Sequence, residues 1–118
     1  MTSLFLPAGA LASLLLSQAG VPDMTEAAPA LTLEVHEHDG MLDVQLIGLS
    51  PRAQGVSYAL EVTGQSTSRH RGSTTLTADT RAVLSTMRTR AGENWCVKLV
   101  AEEEGRAPYE VTRGPCSD

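Results

Sequence analysis

The chain has 118 residues, 14 acidic and 9 basic, giving a formal net charge of −5, and only 3% of its residues are aromatic. That length allows one modest domain, and the net acidity excludes a general nucleic-acid binder, whose phosphate contacts need a basic footprint. With so few aromatics, the core falls to aliphatic side chains, with Leu33, Val44, Leu46, Leu60, Val62, Leu84 and Leu99 as the candidates. Each contributes about 1.5–3 kcal/mol on full burial.

Residues 1–19 carry an apolar run, Leu4 to Leu16, followed by the small-x-small pattern Ser17-Gln18-Ala19. This reads as a secretory signal, although no Lys or Arg precedes Arg52 and the usual positive start is missing. Pro7 and Gly9 interrupt the run, which is too short for a transmembrane helix, so no membrane span is expected in the mature form. Residues 20–30, with two prolines, small residues and acids, read as a linker, which leaves 31–118 as the domain.

From Leu31 the pattern alternates with a period of two. Leu31, Leu33 and Val35 alternate with Thr32, Glu34 and His36, the signature of a half-buried strand. Asp39-Gly40 is a strong hairpin signal, and Leu42, Val44 and Leu46 alternate beyond it. Val56, Tyr58, Leu60 and Val62 make the cleanest strand. Ser68 to Thr77 is Ser/Thr-rich with few apolar residues, which places it at a sheet edge. A further strand is expected over Thr80 to Arg88. Trp95, Val97, Leu99 and Ala101 alternate with Cys96, Lys98 and Val100 in another central strand. Glu103 to Arg106 is expected to form a hairpin loop, with the Glu102–Glu104 run as a solvated tip, and Ala107 to Arg113 to return with Tyr109 and Val111 inward. Seven short strands with regular turn signals predict an all-β, immunoglobulin-like sandwich.

Cys96 and Cys116 are the two cysteines, and in an exported chain such a pair suggests a disulfide. Strand parity sends both side chains to the same outer face. A hairpin centred near Glu104 puts Cys96 opposite about Thr112, however, so Cys116 overshoots by about 13 Å of strand. Gly114-Pro115 offers a bend that returns it. Independent thiols or a cross-link between chains are the alternatives. No C-x-x-C motif is present to suggest a redox catalyst.

Chemistry-bearing motifs are sparse. No serine sits in a G-x-S-x-G elbow and no Gly-rich phosphate loop precedes a helix, so no enzyme and no cofactor are expected. His36 and His38 share a strand face, but a metal site would need a third ligand from elsewhere, and a plain surface pair is the simpler reading. Arg69-His70-Arg71 makes a compact basic spot suited to an acidic partner.

A signal-like start, the strand Gly55-Val56-Ser57-Tyr58-Ala59-Leu60-Glu61-Val62-Thr63, a Ser/Thr-rich stretch with Gly72, then Ala82-Val83-Leu84-Ser85 and Val97-Lys98-Leu99-Val100 follow one another. Together they resemble the CsgH-type curli assembly proteins, relatives in fold of the CsgC inhibitor. The likeness runs from about Leu31 to Thr112. It implies a monomeric periplasmic protein, chaperone-like, that binds curli-type amyloid subunits transiently and keeps them from polymerising before export. Arg69, Arg71, Ser73 and Thr75 on the edge strand are the candidate client-binding residues. The C-x-C motif of the CsgC relatives has no counterpart here, and His70-Arg71-Gly72 stands where the family has a Gln-Gly-Gly-like stretch. The competing reading is an adhesion or accessory module of an envelope complex.

Overall fold

The structure is a computed structural model and describes residues 28–116; the signal-like segment and most of the linker lie outside the described residues. The strands are β1 (Leu31–His38), β2 (Met41–Gly48), β3 (Gln54–Thr63), β4 (Thr67–Leu76), β5 (Ala82–Arg90), β6 (Cys96–Glu103) and β7 (Tyr109–Arg113). No helix occurs among the described residues. The strands form two antiparallel sheets, ordered β1-β2-β5 and β4-β3-β6-β7. This is the expected immunoglobulin-like sandwich, with most strand limits within two residues of those read from the sequence.

The alternation puts one face of each sheet into a shared aliphatic core. Leu42, Val44, Leu46, Val62, Val97, Leu99 and Ala101 are fully buried, and Leu60 and Leu76 nearly so. Leu84, expected in the core, packs against it only partly buried. Asp39 and Gly40 have φ of 53° and 74°. They form the two-residue turn between the paired His38 and Met41, and its twist matches the right-handed twist of the strands it joins.

Two irregularities position the surface features below. Between β2 and β5 the register slips at Leu46/Ile47, so that Leu46 faces Ser85 while Ile47 faces Val83. The extra residue on β5 is Leu84, which packs on the core and turns Val83 outward. At Gly72, a Cβ would fall 2.5 Å from the Tyr58 hydroxyl oxygen. Only glycine lets that ring cross β4, and the Tyr58 hydroxyl then donates to the Leu84 carbonyl at 3.1 Å in the other sheet.

The β6–β7 hairpin departs from expectation at its tip. Its centre falls at Gly105, with Val97 opposite Arg113, and the last strand starts at Tyr109 rather than Ala107. The Glu102–Glu104 run is not a simple solvated tip. Glu103 continues the inward parity of β6 and is only 9% exposed. Its Oε2 accepts from the Ala30 backbone N–H at 2.8 Å and from the Tyr109 hydroxyl. The Arg106 guanidinium lies 3.5 Å from its Oε1. Glu104 Oε2 accepts the Gly55 N–H at 2.9 Å.

Cys96 and Cys116 form a disulfide with their Cα atoms 4.6 Å apart. The shift of the hairpin centre puts Gly114, not Thr112, across from Cys96, which halves the overshoot. Gly114 then supplies the bend with φ of 109°. It passes so close to Trp95 that a Cβ would lie 2.6 Å from the ring, and the Cys116 N–H donates to the Trp95 carbonyl at 3.2 Å.

Candidate client-binding edge

β4 pairs with β3 on one side only and is the edge of the four-stranded sheet. Its other side carries backbone donors and acceptors that no strand of the sandwich takes up. Such an edge is a template for another extended chain. The structure brings the four candidate residues together: Arg69, Arg71, Ser73 and Thr75 alternate along β4, all exposed and all on the outer face.

Their commitments differ. The Arg69 guanidinium bonds Glu61 at 2.9 Å across the strand pair. The Ser73 hydroxyl meets that of Ser57 at 3.0 Å. Thr75 lies opposite Gly55, and Arg71 opposite Ala59. Arg71 has no carboxylate partner among the described residues, so of the four it is the charge most available to an incoming chain.

Beyond the edge strand the surface continues inward across three more strands. In register, Arg71, Ala59, Val100 and Glu110 form one row, and Arg69, Glu61, Lys98 and Thr112 the next. All of these but Thr112 line a shallow groove of about 280 Å³, with Ala59 and Val100 at its middle. Val100 is 43% exposed. The outward parity of Lys98 and Val100 was the available signal, and strand pairing was the missing link to β4.

His70 points the other way. Its Nδ1 lies 3.0 Å from the Ser85 hydroxyl on β5, a second tie between the sheets beside Tyr58–Leu84. The basic spot of the sequence therefore splits, with two arginines outward and the histidine used to close the sandwich.

The pair His36 and His38 lies on the outer face of the other sheet. His38 Nε2 sits 2.6 Å from the Asp43 carboxylate, which also accepts from Arg88 Nε at 2.7 Å. The hydrogen bond to Asp43, with its charge, raises the His38 pKa above 6.5. Asp43 is drawn down to about 2, first by the Arg88 hydrogen bond and then by that of His38. Among the described residues no three His, Cys, Asp or Glu side chains are placed to hold a metal, and no helix is long and apolar enough to cross a membrane.

These features define a class: an immunoglobulin-like sandwich whose widest sheet ends in an open, arginine-bearing strand. The fold can be placed more closely. The chain is similar to the E. coli curli protein CsgC, at 12% identity and a TM-score of 0.52, over 70% of this chain and 94% of that chain. It is also similar to R. palustris CsgH in solution, at 18% identity and a TM-score of 0.48, over 73% of this chain and 91% of that one. No protein-family model matches the chain. A comparison with curated protein sequences finds no match. The likeness is one of fold: this chain has a CsgC-like sandwich.

Proposed function

We propose that this protein is a periplasmic, chaperone-like inhibitor that binds curli-type amyloid subunits transiently and non-covalently, holding them back from polymerising before export. The observation that carries this reading is the open edge of β4, with Arg69 and Arg71 exposed on it. Its fold likeness to a curli protein supports the choice of client, and the disulfide is consistent with an oxidising compartment.

Amyloid grows as each strand templates the next through backbone pairing and side-chain stacking. A sandwich edge can offer a subunit strand the same backbone pairing while presenting arginines where a fibril would present a stackable side chain. Capture by one edge strand then occupies the growing surface without extending it. The contact is expected to be short-lived, because exposed charge pairs are individually weak and screened by salt.

The test is dye-monitored fibrillation of a purified curli-type subunit. The protein should lengthen the lag at substoichiometric ratio, and R69E/R71E should lose most of that delay. The wild-type delay should shrink as salt rises from 50 to about 300 mM, where the screening length falls below about 6 Å. No delay even at equimolar ratio would sink the proposal.

A further inference from the structure

The outer face of the four-stranded sheet carries an ordered pattern that the β4 edge does not account for. Its central row runs basic, small apolar, large apolar, acidic: Arg71, Ala59, Val100 and Glu110. Val100 is one of the three exposed large hydrophobics among the described residues; the others, Leu49 and Val83, lie elsewhere. Arg71, Lys98 and Glu110 have no ion-pair partner among the described residues, and Glu61 is taken by Arg69. Arg71 and Glu110 are both exposed and stand three strand spacings apart, about 14 Å.

This order is self-complementary. Two such faces packed on each other lie about 10 Å apart with their strands nearly aligned. A two-fold axis between the faces, parallel to the strands and midway between Ala59 and Val100, reverses each row on its copy. Arg71 then faces Glu110 of the second copy, and Ala59 faces Val100, with the same pairs repeated across the axis. In the neighbouring row the same axis brings Lys98 over Glu61 and Arg69 over Thr112. The usual angle of about 30° between packed sheets moves the row ends by only a few ångström, which the long Arg71 and Glu110 side chains absorb. An axis along the rows would instead set Arg71 on Arg71 and Glu110 on Glu110, and charge rejects it.

We propose that this face is a self-association surface whose occupant is a second copy of the chain, with Val100 against Ala59 at its centre and an Arg71–Glu110 pair on each side. The area is small, roughly 400–500 Å² per copy against about 800 Å² in a standard stable interface. The pair therefore forms reversibly at high concentration and separates into single chains on dilution. The inference uses the outer face of the sheet and no backbone pairing at β4, so it stands or falls separately from the client reading.

The test is sedimentation equilibrium of the full chain at low salt, with the Val100 methyl resonances followed in parallel. The weight-average mass should rise above that of one chain as the concentration approaches about 1 mM, and Val100 should shift in step. R71E or E110R alone sets like charges face to face and should weaken the association at least about tenfold. R71E/E110R, which exchanges the two charges, should recover it to within about threefold. Both positions are exposed, so these variants leave the core untouched. A single-chain mass throughout would overturn the proposal. So would an association that R71E and E110R leave unchanged, which would put the contact elsewhere, as at Leu49 and Val83. A Val100 resonance that ignores protein concentration and moves only when a curli-type subunit is added would also overturn it, because the client would then be the occupant.

Discussion

At the loop end of the β6–β7 hairpin, a single buried carboxylate gathers the chain: Glu103 takes the Ala30 N–H, the Tyr109 hydroxyl and the Arg106 guanidinium. At the other end of the eight-residue β6, Cys96 and Cys116 are joined covalently and Gly114 lies against the Trp95 ring. One end is fastened by polar groups that balance each other's desolvation, the other by a bond indifferent to pH. The polar end ties three elements, since Ala30 leads into β1. The covalent end ties only β7 and its tail to β6. A short domain with an aliphatic core gains from both, because neither depends on adding apolar area.

The largest effect is expected at the covalent end. The disulfide closes a loop with a sequence separation of 20, for which chain-entropy reasoning gives about 3 kcal/mol. C96A/C116A, or reduction of the native protein, should lower the unfolding free energy by that amount and move the denaturant midpoint down accordingly. Trp95, the single tryptophan of the chain, reports the event directly. Its emission should shift to longer wavelength on reduction, before global unfolding, as the tail lifts from the ring. An unchanged midpoint would mean that the Gly114–Trp95 contact holds the tail without the bond.

The polar end should break next, and by a different agent. Glu103→Ala leaves the Ala30 N–H and the Tyr109 hydroxyl without their acceptor, at a cost of about 1–3 kcal/mol. Glu103→Gln keeps an acceptor oxygen and should cost less. Burial first, and the bond to Glu103 second, push the Tyr109 phenol well above its usual value of 10.0. A raised folded-state value means the stabilisation is complete below about pH 10 and is lost as pH climbs further. In an ultraviolet alkaline titration Tyr109 should therefore ionise only as the fold opens. In Tyr109→Phe the late step should vanish. Persistence of that step would overturn its assignment to Tyr109.

The contrast between the ends also shows what the sequence could reveal. Period-two alternation exposed the strands, and Asp39-Gly40 the first turn, because these are local patterns. The disulfide was readable from parity, but its register was off by two residues because the width of a hairpin loop depends on what its flanks bury. Glu103 sits in a run of three acids that looks solvated, and only its inward parity distinguishes it. Its partners, Ala30 just before β1 and Tyr109 on β7, come from other parts of the chain, so no local pattern marks them. The β4 edge was legible from its lack of apolar residues. The Val100 groove and the Tyr58–Gly72 crossing were not, since they depend on which strands pair. Val83 lies within the expected strand Thr80 to Arg88, and only the bulge at Leu84 reveals that it faces out.

The smallest effect belongs to neither end but to the exposed triad of His38, Asp43 and Arg88, which is a control on both. Asp43 titrates at about 2 in the fold against an ordinary 3.8, so its contribution is full above about pH 4 and is lost as pH falls through 2. His38 runs in the opposite sense. Its raised value means that its bond to Asp43 contributes fully below pH 6.5 and fades as pH rises through the elevated midpoint. In D43N, an NMR titration should show the His38 midpoint falling back toward 6.5, with the denaturant midpoint almost unmoved because these groups are solvent-screened. If D43N left the His38 midpoint where it was, the pairing would not persist in solution. If it destabilised as much as Glu103→Ala, this surface would hold the sandwich as firmly as its buried end, and the difference in burial would no longer explain the ranking.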